Sequence, residues 1–579
     1  MSYKHTKEVN VQIIISLLKS HGIRYIIGSP GTTNVAFLAS VQNDPYFNVY
    51  SSVDERSAAY MACGLAAESG EPVVLSCTGA TASRNYVSGL TEAYYRKLPI
   101  LAITSTQPIS RVGHNIAQVI DRSTLQNDIV KISVTLPIVK DDEDIWECEV
   151  KVNDAILELT RHGGGPAHIN LPTSYTLPFV RSAIPKYRKI ERISYSGSFP
   201  ELYGKVAISI GSHREFSDTE TKTIEDFCEQ NNSVVFCDHT SGYKGKYKLN
   251  FSLLGSQEFM DKSSYRPDVL IQLGEISGDY HTLSLGCAEV WRVNIDGKLK
   301  DSLKRLRYVF EMDSTLFFGN YISSNKIKKI DYYEYCKSGI DNIRHMLPEL
   351  PFSNIWVASR LSKMIPKKST LHFGILNSLR SWNFFDLDET IKTASNVGGF
   401  GIDGNLSSII GASLYESNNL YFCIVGDLAF FYDMNALGNK HVGNNLRILL
   451  VNNGKGTEFR NYNHHASYFG EEADELIAAS EHYGNKSTTL VKNYAKSLGY
   501  DYISASNKDE FESEYMKFLS EENKLNPIIF EIFTDSQLES DALQSMQSII
   551  KDRKVIAKKK ARDMLGEKGL SMLKKLSRT

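Results

Sequence analysis

Two short turns in the last third of the chain carry residues suited to metal and phosphate chemistry. Gly426-Asp427 closes the apolar run 420–425. Asn452-Asn453-Gly454 closes the apolar run 448–451, and Asp427 and Asn453 lie 26 residues apart. A strand–turn–helix–strand–turn reading puts both turns at the carboxyl edge of one parallel sheet, where open α/β folds bind ligands. A carboxylate plus a neutral amide oxygen, beside freed backbone groups, is a hard-oxygen set. It suits Mg²⁺, which keeps phosphate oxygens among its ligands. A helix starting just after Gly426-Asp427 adds N–H donors for that phosphate. Either turn alone is an ordinary turn after a buried strand. The pair, each closing an apolar strand, is far more specific.

These turns need a sheet to hold them, and the chain has material for three. At 579 residues it exceeds one hydrophobic core. The pattern predicts an α/β protein with units at 1–185, 200–345 and 350–536, followed by a tail at 537–579. In the first unit, strand 25–28 ends in Ser29-Pro30-Gly31. Strand 48–51 runs into Asp54-Glu55 and a helix of small residues, and strand 72–77 leads into Thr78-Gly79. Glu55 at a helix head reads either as a dipole partner or as a functional acid. The middle unit alternates buried strands with helices. Gly211-Ser212 and Gly274-Glu275 are weak phosphate-turn signals there, and no GxGxxG occurs. The expectation is no flavin.

Composition narrows the class. Formal net charge is −2, so no global field points to nucleic acid. Eight scattered cysteines without a CxxC pair read as buried thiols in a reducing compartment. The first ten residues lack an apolar signal core, and no run suffices to span a bilayer, so the expectation is a cytoplasmic protein. The tail is basic and amphipathic. It is expected to pack on its own protein or a subunit partner, a membrane surface or acidic partner being the sharper alternative.

The Gly-Asp … Asn-Asn spacing resembles the signature of the thiamine diphosphate (ThDP) enzymes. Leu428 departs from the usual third glycine, as it does in the menaquinone-pathway synthases that make succinyl-enolpyruvyl-hydroxycyclohexene-carboxylate. NVGGFGIDGNLSSIIG at 396–411 and ILNSL at 375–379 resemble the same branch. The likeness runs from about residue 10 to 535. It implies three doubly wound domains: pyrimidine, central and diphosphate.

It also implies ThDP and Mg²⁺ as cofactors. Glu55 would hydrogen-bond the aminopyrimidine ring and stabilise its imino tautomer. The implied cofactor-binding set adds Pro30, Thr78, Ile402, Gly426, Asp427, Leu428, Ala429, Asn453 and Lys455. Asp427, Asn453 and Lys455 form the metal set. Ile402 matches an apolar wedge between the cofactor rings, although a core isoleucine would look the same. Gln118 matches a glutamine brought over the thiazolium, or is a polar loop residue. His168, in GGGPAHINLP, reads as structural. Of the adjacent pair His464-His465, at most one can face the site, as a proton carrier.

Against that branch, four arginine positions fall on Thr33, Gln107, Trp382 and Val397, with Arg380 close to one of them. Each lost Arg–carboxylate contact in a buried site costs about 2–5 kcal/mol. The candidate substrate residues are Thr33, Gln107, Asn377, Ser378, Arg380 and Trp382, and they suit a less anionic substrate such as a sugar or small aldehyde or ketone. The expected reaction is decarboxylation of a 2-oxo acid, with pyruvate as donor, and carboligation to an acceptor carbonyl. The alternatives are simple decarboxylation, an acetolactate-synthase-like reaction, and a non-catalytic ThDP-fold binding protein. The last predicts a lost glutamate or metal pair, yet Glu55, Asp427 and Asn453 are all present. Relatives share the cofactor between subunits, so a homodimer or homotetramer is expected.

Overall fold

The computed structural model describes residues 4–175, 179, 183–322, 331–482, 487–521 and 525–560. The chain forms two compact units, Met1–Ser198 with Ile295–Glu311, and Phe199–Asn294 with Met312–Thr579.

The first unit is built on β1 (Tyr25–Gly28), β2 (Asn48–Ser51), β3 (Val73–Cys77), β4 (Ile100–Thr106), β5 (Ile132–Thr135) and β6 (Ala167–Pro172). They form a parallel sheet in the order β2-β1-β3-β4-β6-β5. β3, β4 and β6 are buried at every residue, as inner strands covered by helices on both faces must be. The edge strand β2 stays largely exposed. The helix Glu55–Ser69 buries Ala58, Ala59, Ala62, Cys63 and Ala66, and ends on Gly70 at φ 69°. Its small residues allow close approach to the helix Val87–Arg96, where a Cβ on Gly89 would sit 2.4 Å from the Cβ of Ala59. The unit closes with β7 (Glu191–Ile193).

In the second unit, β8 (Val206–Ile210), β9 (Ser233–Cys237), β10 (Lys248–Asn250), β11 (Val269–Leu273) and β12 (Glu289–Val293) run parallel in the order β10-β9-β8-β11-β12. The two glycine turns that resembled phosphate sites pair with each other. Glu275 N–H donates to Ser212 O at 2.9 Å, and a Cβ on Gly211 would lie 2.0 Å from Glu275 O. β13 (Leu306–Phe310) belongs to the first unit and pairs parallel with β7.

The third sheet comprises β14 (Thr370–Phe373), β15 (Lys392–Ser395), β16 (Tyr421–Gly426), β17 (Leu446–Asn452), β18 (Asp501–Ala505) and β19 (Ile528–Phe533). Its order, β15-β14-β16-β17-β19-β18, repeats that of the first sheet strand for strand. In both, the order reverses between the first and third strands, which opens a crevice at their carboxyl ends. The architecture is thus α/β with three parallel sheets.

All eight cysteines are buried and unbridged. Among the described residues no helix is long and apolar enough to cross a membrane. The stretch read as a tail from 537 begins with the helix Ser536–Gln547, which buries Glu539, Leu543 and Met546. Residues 561–579, most of the basic tail, lie outside the described residues.

The Gly89–Ala59 contact has no room for a larger side chain. Gly89→Val should lower stability by about 1–3 kcal/mol, read as a drop in the denaturant midpoint with an unchanged slope.

Candidate active site

The crevice between β14 and β16 opens into a cavity of about 190 Å³ within the second unit. Gly426, at the end of β16, pairs in register with Val451 of β17, so the turns after both strands emerge side by side. The helix Asp427–Asp433 starts at once after Gly426. Asp427 is buried. Its Oδ1 accepts from the Leu428 N–H and its Oδ2 from the Gly454 N–H, each at 2.7 Å. Burial pushes its carboxyl up to about 7, against the pull of these N–H donors.

Asn453 Oδ1 is buried and has no hydrogen-bond partner. Its neighbour Asn452 faces the other way, donating to Glu531 Oε1 at 2.7 Å, while Tyr502 donates to Glu531 Oε2 at 2.8 Å. A buried carboxylate and an orphaned amide oxygen on two touching turns fit a hard divalent cation holding a diphosphate. Asp427, Asn453 and the Lys455 position would hold it. The Lys455 side chain itself pairs with Asp474 at 2.5 Å, which leaves its backbone for that role.

Gly426, Leu428, Ala429, Lys455, Ile402, Asn377, Ser378 and Arg380 line the same cavity. Leu376, just before Asn377, is held at φ 62°, a strained conformation, and it also lines the cavity. Three predicted site residues, the substrate candidate Trp382 and the proton-carrier candidates His464 and His465, are not part of the lining. Trp382 is fully buried in the apolar core, 5.5 Å ring to ring from Phe373, because the helix Asn377–Trp382 turns that face to the sheet. His464 accepts from the Ala466 N–H through Nδ1 at 3.1 Å and caps the short helix His465–Ala473. His465 is exposed. Of the two, His464 packs edge-to-face on cavity-lining Phe459, the ring centres 5.2 Å apart.

Glu458, Glu539 and Leu543 line the cavity and were missed from sequence. Glu539 and Leu543 lie four residues apart on one helical face, a spacing that was legible but had been assigned to the tail. Glu539 accepts twice from the Asn354 N–H, at 2.9 and 3.1 Å. Burial pushes its carboxyl up to about 7.

In the first unit, Asp54 caps the helix Glu55–Ser69, accepting from the Arg56 and Ser57 N–H groups. Glu55 is therefore not needed for the cap, and it accepts from Asn85 Nδ2 at 3.2 Å. Thr33 is buried. Its hydroxyl meets Thr78 Oγ1 at 2.7 Å and donates to Ser105 O at 3.0 Å, tying together the ends of β1, β3 and β4 rather than facing an open pocket. Pro30 is exposed on the same turn. Gln107 accepts from Arg111 at 2.5 Å, and Gln118 is exposed at φ 64°. His168 is buried between the hydroxyls of Thr104 and Ser133, and desolvation pushes it down to about 3.

A family model described as "Thiamine pyrophosphate enzyme, N-terminal TPP binding domain" matches residues 10–126. The chain is 30% identical over 576 residues to the 2-succinyl-5-enolpyruvyl-6-hydroxy-3-cyclohexene-1-carboxylate synthase of Phocaeicola vulgatus, covering 95% of this chain and 100% of the relative. It is 29% identical over 579 residues to the synthase of Bacteroides fragilis (95% and 100%) and 26% identical over 541 residues to that of Desulfotalea psychrophila (89% and 96%). The chain belongs to the ThDP-dependent enzymes, on the branch of these synthases. It is an enzyme of the decarboxylase and carboligase type.

Glu539 yields a pH test. Its folded carboxyl titrates above the ordinary 4.5, so the folded state holds the extra proton between about 4.5 and 7. Stability is then lost as pH rises through that window, on the order of 3 kcal/mol for this one group. Denaturant unfolding of cofactor-free protein at pH 4.5 and 8 should show a smaller loss for Glu539→Gln than for wild type.

Proposed function

We propose that the protein uses ThDP and Mg²⁺ to decarboxylate a 2-oxo acid, pyruvate being the donor, and to join the retained carbons to an acceptor carbonyl. The observation that carries this is the contact between two turns, one bearing the buried Asp427 and the other the unpartnered Asn453 Oδ1. ThDP, when bound, supplies a thiazolium that accepts the electron pair released as carbon dioxide departs. The chain does the rest. Asp427, Asn453 and the Lys455 carbonyl would hold the metal that neutralises the diphosphate. Ile402, in the cavity lining, would pack against the rings. Glu55 would meet the pyrimidine ring, since Asp54 serves the helix end.

The relatives are named for a product that carries several carboxylates. In this chain two of the positions where an arginine would stand for that chemistry, Trp382 and Val397, are core residues. That supports a different, less anionic substrate pair. Around Glu55 the first unit exposes Tyr50, Val53, Tyr60 and Met61, with Val53 80% exposed. Such an apolar patch supports a homodimer in which Glu55 serves the partner's diphosphate site. A cytoplasmic setting accords with this chemistry.

Calorimetry with ThDP and Mg²⁺, and carbon dioxide release from pyruvate, test the proposal. Glu55→Gln should cut turnover by about 10²–10⁴-fold while ThDP still binds. Unchanged turnover would remove Glu55 from the mechanism. Aldehyde as the sole product, whatever acceptor is offered, would reduce the reaction to simple decarboxylation.

A further inference from the structure

Two basic side chains line the cavity, Arg380 and Lys455, and both are already paired within the protein. The Arg380 guanidinium is closed by Glu458 in a two-pronged contact. Nη1 donates to Oε2 at 2.8 Å and Nη2 to Oε1 at 3.0 Å. The two side chains are only 16% and 19% exposed. Asn461 Nδ2 adds a donor to Glu458 Oε2 at 3.2 Å. With its amide turned so that nitrogen faces Glu458, Asn377 donates to the same oxygen at 2.8 Å and accepts from the Glu458 N–H at 3.1 Å. Lys455 pairs with Asp474, whose other oxygen takes Arg460 at 3.2 Å.

An arginine fork of this geometry is what a substrate carboxylate ordinarily occupies. Here a carboxylate of the chain sits in it. A substrate anion entering this end would have to evict Glu458, leaving a largely buried acid unpaired, and would then lie beside its like charge. What the wall still offers is neutral. The Ser378 hydroxyl, the Asn377 and Asn461 amides and the spare lone pair of Glu458 Oε1 can exchange hydrogen bonds with hydroxyl groups.

We infer that Glu458 determines specificity: it fills the Arg380 fork and makes this end of the cavity a charge-balanced wall for a neutral, hydroxyl-bearing carbonyl compound, excluding partners with a second carboxylate. The inference rests on the ThDP reading above and names the substrate class of that site. Glu458 acts here through Arg380 and through its own contacts with the substrate's hydroxyls. Its position, four residues after the Asn-Asn-Gly turn, puts it on the short helix Thr457–Arg460. The selecting wall is thus anchored to the metal turn itself.

The test uses the full chain loaded with ThDP and Mg²⁺. Pyruvate is compared with 2-oxoglutarate as donor, and glyceraldehyde with succinic semialdehyde as acceptor. Wild type should favour the singly charged donor and the neutral acceptor by at least about tenfold in kcat/KM. Glu458→Gln should shift both ratios toward the carboxylated partner by at least about tenfold, and Glu458→Gln combined with Arg380→Leu should cancel that gain. Calorimetry with succinate, which needs no turnover, should show binding to Glu458→Gln and not to wild type. The proposal is overturned if wild type prefers the dicarboxylates. It is also overturned if Glu458→Gln, still binding ThDP, leaves both ratios and succinate binding unchanged. Should Glu458→Gln not fold, the wild-type preferences and succinate isotherm decide. Carbon dioxide from neither donor, at an intact ThDP isotherm, would bring down the ThDP reading and this proposal with it. Carbon dioxide with a preference for dicarboxylates would bring down this proposal alone.

Discussion

The hydrogen bond that Gly454 donates to Asp427 joins the two turns on which the site is built. It exists because β16 and β17 are neighbours and end in step, with Gly426 opposite Val451. Once the turns touch, a buried carboxylate is fixed by backbone donors in a place where water cannot solvate it. Behind it, Asn452 is drawn back to Glu531, and Tyr502 holds the far oxygen of that acid. The two adjacent asparagines thereby do opposite work. One is tied into the sheet, and the other is left with a buried, unpartnered oxygen in the cavity wall.

A similar division appears in the first unit. Asp54 satisfies the free N–H groups of its helix, so the carboxylate of the next residue is not needed for the cap and takes only the amide of Asn85. Thr33 and Thr78 lace the ends of β1 and β3, and Thr33 also reaches β4 through Ser105. In both units a polar residue is consumed to hold the scaffold while its neighbour is kept available. That is how a rigid support is built for a site without using up the groups that the site needs.

Much of this was legible because it is local. The apolar run 420–425 and the Gly-Asp turn after it gave β16 and the helix at Asp427. The run 448–451 gave β17, and their adjacency followed from the rules of parallel sheets. The spacing of small residues in the helix Glu55–Ser69 likewise announced close packing. The Arg380–Glu458 end of the cavity was not legible. Arg380 and Glu458 meet across 78 residues with no shared period, and only the folded crevice brings them together. Trp382 was read as a pocket aromatic because sequence gives no rotational phase for a helix as short as Asn377–Trp382. Glu539 was lost to a boundary drawn where the charge pattern changed, although the apolar stripe of its helix ran on past that point.

The first and third sheets share one strand order, and this bears on how the chain comes to be made. Parallel sheets assemble through distant contacts and so form slowly, with their edges open for the duration. Two sheets of one design in one polypeptide are each other's nearest competitors for a stray strand. Synthesis from the amino end separates them in time. The ribosome has released β1 through β6 well before β14 emerges, so each sheet can close before its double is available to intrude.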